Sequence, residues 1–394
     1  MMLLNTFAPP FKLVGGYFII GILFLLMSVF VFFMADFTTI TSLNTAGFMH
    51  IYFVGFVMSI IIGALYQLTS VILEKSFFSI KGAFVNLFIY ALGVAVMSAG
   101  MISGKIWLMH SGGLLLFLSL LFFDVTYLLS FIGNTKRSLA AFLLLVSAVF
   151  LLIGLVLGFC LLMIFSGVLS LDFAMTLKFH IYFVVGFVFF IIVGVSTVLL
   201  PMFALAHDLK FTLSKLAFGF YILAGALLVF NDTTAFVAFA LAVFSFVAEA
   251  LKILKKRVRK ALDYWSVNIF LSLIALIVFC VFYALRLEDT ALFCLLYGFL
   301  YSFIVAHLYK IAPFLIWYHY VAPFVGKTKV PLLDDMIVKS PTYIAIAFNA
   351  LGLVLYVFGM AYAGLGAILV SVVLVTYNII NVFKFIKFGV KNER

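Results

Sequence analysis

The residues in this sequence best suited to chemistry are its six histidines, His50, His110, His180, His207, His307 and His319. Each lies in or beside a long apolar run, where an imidazole is costly unless it is buried, paired or ligating. Neutral imidazole is the common protein ligand for haem iron and copper, so a redox metal is the chemistry these residues suggest. Acids and bases near such runs are fewer, chiefly Asp124, Glu249 and Lys310. They suit a proton or ion path, although near a membrane face snorkelling and local pairing explain them equally well. The three cysteines, Cys160, Cys280 and Cys294, lack zinc spacing and read as core filling. No phosphate-binding loop, nucleophile elbow or HExxH motif occurs.

What must position these residues follows from composition. Of 394 residues, 68% are apolar and only 9% charged, with a mean hydropathy of +1.37. A soluble chain is about half apolar and a quarter charged, so this one cannot cover itself with a polar surface. It reads as an all-α integral membrane protein in one membrane domain over 1–394, with no room for a soluble enzyme domain. Breaking the apolar runs at charges, prolines and polar clusters predicts twelve spans, near 11–35, 46–73, 83–103, 106–132, 138–168, 175–206, 211–231, 233–254, 264–287, 290–320, 341–363 and 366–388. The run from Phe11 is long enough to span rather than to serve as a cleaved signal.

Charge gives the expected topology. Of 24 Lys and Arg, 21 fall at the two ends and after spans 2, 4, 6, 8 and 10, while Lys105, Lys178 and Arg286 alone fall on the other side. That bias predicts cytoplasmic termini. It also explains the net charge of +11 without nucleic acid. The cluster Lys252 to Lys260 reads as a positive-inside loop, with anionic lipid headgroups as an alternative, and Asp334 and Asp335 read as solvated loop acids. His50, His110 and His180 then start their spans at similar depth in the outer leaflet, His207 and His319 fall at inner ends, and His307 lies deeper in span 10.

The sequence repeats internally. Span 2 reads His50-Ile-Tyr-Phe-Val-Gly55-Phe and span 6 reads His180-Ile-Tyr-Phe-Val-Val-Gly186-Phe, followed by Ile-Ile-Ile-Gly63 and Ile-Ile-Val-Gly194. Span 10 offers Tyr297-Gly298-Phe299 and Ala306-His307-Leu-Tyr309, and Ala91-Leu-Gly93 of span 3 is echoed by Ala350-Leu-Gly352 of span 11. Matches always fall at multiples of four spans. Three four-helix repeats, about 11–132, 138–254 and 264–388, are expected to close into a ring of pseudo-three-fold symmetry.

Twelve spans in three fours, with a histidine near the outer start of span 2, resemble subunit I of the haem-copper oxidases and the related NnrS-like membrane proteins. The resemblance implies that His50 is an axial ligand of a low-spin haem, of haem b type, and that His180 is a copper ligand, with His110 a third candidate for cofactor or metal. It also implies an inner (cytoplasmic) membrane location and electron-transfer or respiratory membrane partners. The chain departs from the family where oxygen is reduced: the adjacent His pair on span 7 is missing from 211–231, and Ala291-Leu-Phe-Cys294 stands where the family has His-x-His. The expected function is therefore haem or copper binding without oxygen reduction, in electron transfer, metal handling or a nitrosative-stress response. A small-solute or ion transporter using Asp124, Glu249 and Lys310 is one alternative, and a cofactor-free assembly partner of a membrane complex is another.

Overall fold

The computed structural model describes residues 8–37, 39, 41–135 and 137–388; Lys136, Lys391 and Arg394, which enter the charge count, lie outside them. The chain is 83% helix, with no strand among the described residues. Among the described residues, eleven helices are long and apolar enough to cross a membrane, as expected where the bilayer leaves backbone groups no partner but the helix itself. We number all helices in chain order: α1 Phe11–Met34, α2 Leu43–Leu73, α3 Ile80–Ser103, α4 Ile106–Ser130, α5 Leu139–Phe165 and α6 Phe173–Ala204. These are followed by α7 Thr212–Leu228, α8 Asp232–Lys255, α9 Tyr264–Ala284, α10 Glu288–Phe324, α11 Lys339–Val357 and α12 Ala361–Lys387. The one expected span outside these eleven, 211–231, is thus the 17-residue α7, about 25 Å long at 1.5 Å per residue and at the short limit for crossing. Reciprocal bonds hold it to α6: the Tyr182 hydroxyl donates to the Tyr221 carbonyl at 3.2 Å, and the Tyr221 hydroxyl to the Tyr182 carbonyl at 2.8 Å.

Side-chain caps begin several helices and satisfy their first amides. Ser138 accepts from Ala141 N at 3.1 Å, Asp172 from Met175 N at 2.6 Å and Asn231 from Thr234 N at 3.0 Å. The chain packs as two compact units, one of residues up to Tyr17 with Ala46–Lys260, the other of Phe18–Thr45 with the chain from Ala261 onward.

In the first unit, glycines bring α3 and α4 into backbone contact. A Cβ at Gly100 would collide with Met109 N, and one at Gly112 with Met97 N. In the second unit, Gly352 of α11 and Gly364 of α12 meet in the same way, each facing the other's carbonyl. Small residues at a crossing are how membrane helices gain van der Waals contact, because lipid supplies no hydrophobic drive between them. Gly100 and Gly359 match in sequence but differ in use: Gly359 is left-handed at φ +80°, because α11 stops at Val357 and the turn falls there.

An ionic network closes one end of the second unit. Lys310 pairs with Asp263 at 2.9 Å and lies 4.8 Å over the Tyr264 ring. The Tyr264 hydroxyl donates to Asp334 at 3.2 Å, and Lys339 pairs with Asp334 at 2.6 Å. Asp335 accepts from Leu332 N at 3.1 Å. Lys310 thus pairs locally, and the two loop acids expected to be solvated are engaged. Burial pushes the Asp263 carboxyl up, but the Ser266 amide and the Lys310 ammonium outweigh it and hold it low. The bond from Lys339 holds Asp334 low against a smaller effect of burial. Folded values below the ordinary carboxyl value of about 4 mean that this contribution is complete above about pH 4 and is lost as pH falls through the folded values. Lys310→Met is expected to cost about 1 kcal/mol or less at neutral pH and to raise the pH of acid unfolding, read from thermal melts in detergent. Identical acid profiles for variant and wild type would rule the network out as a stabiliser.

Candidate functional site

The three most buried spans are α10, α2 and α6, with 89, 72 and 67% of their apolar windows enclosed against 33–50% for the other eight. Two of them carry the sequence-predicted histidines. His50 stands where α2 widens from α-helix into a π-helical stretch, His50–Met58, a form found chiefly at functional positions. Its Nδ1 donates to the Ala46 carbonyl one turn back at 2.7 Å. His180 lies early in α6, and its Nδ1 donates to the Gly154 carbonyl of α5 at 2.8 Å.

A carbonyl only accepts, so in both residues the proton is on Nδ1 and the lone pair on Nε2. That is the tautomer in which a histidine ligates a metal through Nε2 while a second group fixes its ring. The two side chains are part-buried and lie within electrostatic range of one another in the first unit. Equal depth in the sequence did not imply this, because depth leaves the azimuth around each helix open.

The seat of His180 is glycine. A Cβ at Gly158 would come within 2.9 Å of the imidazole Cε1, so the ring occupies space that only glycine leaves. Gly154, Gly158 and Leu162 fall four apart on one face of α5. The Leu162 carbonyl meets His110 Nε2 at 3.2 Å, while His110 Nδ1 faces the Ile106 carbonyl at 2.8 Å. His110 therefore reaches the same face of α5 as His180, but with each ring nitrogen against a carbonyl.

The remaining histidines serve other surroundings. His307 of α10 faces the Phe303 carbonyl through Nδ1 at 2.8 Å and lies against the Phe303 ring at 4.4 Å. His319 stands at the π-helical end of α10 beside Tyr318, and His207 is exposed in the connection after α6. The three cysteines are free thiols, with Cys280 and Cys294 buried.

An imidazole with its Nε2 lone pair free is the form that could ligate a haem iron. A copper centre built on three imidazoles would need His110 to leave one of its carbonyls. Among the described residues no three of His, Cys, Asp and Glu gather closely enough to hold a metal ion on their own. Gly154, Gly158 and the π-helical stretch hold the two histidines without being marked by residue type; the four-residue spacing of the two glycines is the signal the sequence carries for them. No protein-family model matches this chain, and no curated protein matches it either.

Proposed function

We propose that this chain is a haem-binding integral membrane protein related to subunit I of the haem-copper oxidases, acting in electron transfer without reducing oxygen. The observation that carries the reading is the pairing of His50 and His180: two histidines on two of the most buried helices, within electrostatic range, each with Nδ1 held by a carbonyl and Nε2 directed elsewhere. Ala46 and Gly154 fix the tautomers, and Gly158 holds the His180 ring in place by leaving room for it. Haem bound there would supply one-electron transfer. Copper at His180 and His110 is the less favoured occupant, for the reason given above.

The twelve-span reading, as three repeats in a pseudo-three-fold ring with both termini cytoplasmic in the inner membrane, belongs to the same proposal. Several internal likenesses support the repeats. The π-helical stretch of α2 has a counterpart at Cys294–Leu300 of α10, after similar helix starts. Ser59 lies four residues after Gly55, fully buried beside Tyr90 of α3; Ser302 lies four after Gly298, fully buried, and accepts from Asn349 of α11 at 2.7 Å. A respiratory membrane protein is the expected electron partner. The test is the absorption spectrum of purified protein, oxidised and dithionite-reduced, with metal analysis of the same sample. A Soret band with sharp reduced α and β bands is expected; a sample that stays colourless after reconstitution with haem would refute the reading.

A further inference from the structure

We propose that Asp124 is the charged group of a monovalent-cation site among α2, α4 and α5, taken by a proton or a sodium ion; the proposal stands independently of the haem reading. Asp124 is fully buried, and neither carboxylate oxygen has a hydrogen-bond partner. It lies six residues from the end of α4, about 9 Å of helix at 1.5 Å per residue. An ionised carboxyl buried there without a hydrogen-bond partner would be too costly to persist. Something must neutralise it.

Comparison of the three helices that end each group of four sharpens the point. At nearly the same distance from the helix start as Asp124, α8 carries Glu249 and α12 carries Asn378. Glu249 pairs with Lys252 and accepts from Ser214 N, at the start of α7, at 3.1 Å. Asn378 accepts from Val338 N, at the start of α11, at 3.1 Å and donates to Thr342 at 3.0 Å. Both are satisfied by the first turn of the preceding helix. Asp124 has no such arrangement with α3, whose approach is bonded instead through Phe78 N to Ser130 at 3.0 Å.

The groups around Asp124 are oxygen donors. Tyr127, one turn along α4, interacts with it electrostatically and donates its hydroxyl to the Leu144 carbonyl of α5 at 3.3 Å, near Ser147 of α5 and Thr69 of α2. Thr69 is itself fully buried. Tyr66 of α2 sets its ring edge against Phe123, the residue before Asp124, at 5.7 Å. Tyr127 is the titratable group that interacts with Asp124. α5 carries no acid or base beside it, and the Lys81 of α3 is an exposed first-turn residue. One carboxylate among neutral hydroxyls balances one positive charge, and hard oxygen donors suit a proton or an alkali cation rather than a soft metal.

The test is labelling of the full-length protein in lipid nanodiscs with dicyclohexylcarbodiimide, a hydrophobic reagent that adds a carboxylic acid O–H across its C=N bond. An adduct mapped to Asp124, absent from the isosteric Asp124→Asn variant and decreasing as pH rises, is expected. Protection by sodium, but not by N-methylglucamine at equal ionic strength, assigns the ion as sodium; no protection assigns a proton. Because poor reagent access alone also blocks the reaction, infrared difference spectra of wild type minus Asp124→Asn provide the second reading. A carboxylic acid band, or a carboxylate band that shifts on adding sodium, supports the site. A carboxylate band indifferent to both pH and sodium overturns it.

Discussion

Purified wild-type protein is expected to show a six-coordinate haem spectrum that His50→Ala with His180→Ala abolishes. Each single variant should leave a five-coordinate haem with broadened reduced bands and weaker retention through purification, because one imidazole remains. The effect should be close to complete in the double variant, since an Nε2 donor is not replaced by the phenylalanines and valines that surround the two positions. His110→Ala should leave the bands in place, because both its ring nitrogens already face carbonyls. Gly158→Ala offers a finer check: its Cβ would press on the His180 ring, and loss of a fixed ligand orientation typically costs about 10–100-fold in affinity. Unchanged haem content in the double variant would sink the assignment of both ligands.

The boundaries of the spans were legible because hydrocarbon imposes a length on every apolar run. Leu139–Phe165 and Phe173–Ala204 fall within a few residues of the runs that predict them. α7 was less legible: the apolar stretch 211–231 includes residues that form the turn into α8, where Asn231 is the cap. Thus the structure yields a 17-residue helix where a full span was expected. The carboxyl end of α10 was hidden for a different reason. Pro323 reads as a stop, yet the helix ends in a tight turn that includes it, Ala322–Phe324.

The candidate site was half legible. Recurrence of His-Ile-Tyr-Phe picked out His50 and His180 because imidazole is rare and costly in such runs. It could not tell that α5, a featureless run of leucine and glycine, supplies the carbonyl and the space that hold His180, since a backbone acceptor has no residue type. Nor did composition distinguish Asp124 from Glu249. Both are single acids at the same depth, and only the position of Lys252 and the start of α7 separates a satisfied carboxylate from a bare one.

Gly112→Ala should be among the most destabilising conservative changes in the first unit, and Gly219→Ala among the least. Both exchange the same atoms in a helix, so propensity alone predicts that each gains up to about 1 kcal/mol. Surroundings reverse the sign for one of them. At Gly219 the added Cβ meets nothing within 4 Å. At Gly112 it meets the backbone of Val96 and Met97, which cannot swing aside as a side chain would, so α3 and α4 must move apart along the crossing that Gly100 and Gly93 also line. Overpacking a rigid contact costs about 1–3 kcal/mol, and loss of adjacent close contacts along the pair places this variant at the upper end. Equilibrium unfolding in mixed micelles would measure both against wild type. Equal stability of the two variants would mean that α3 and α4 do not meet through their glycines, and the close helix pairing on which the buried polar groups of the first unit depend would have to be redrawn.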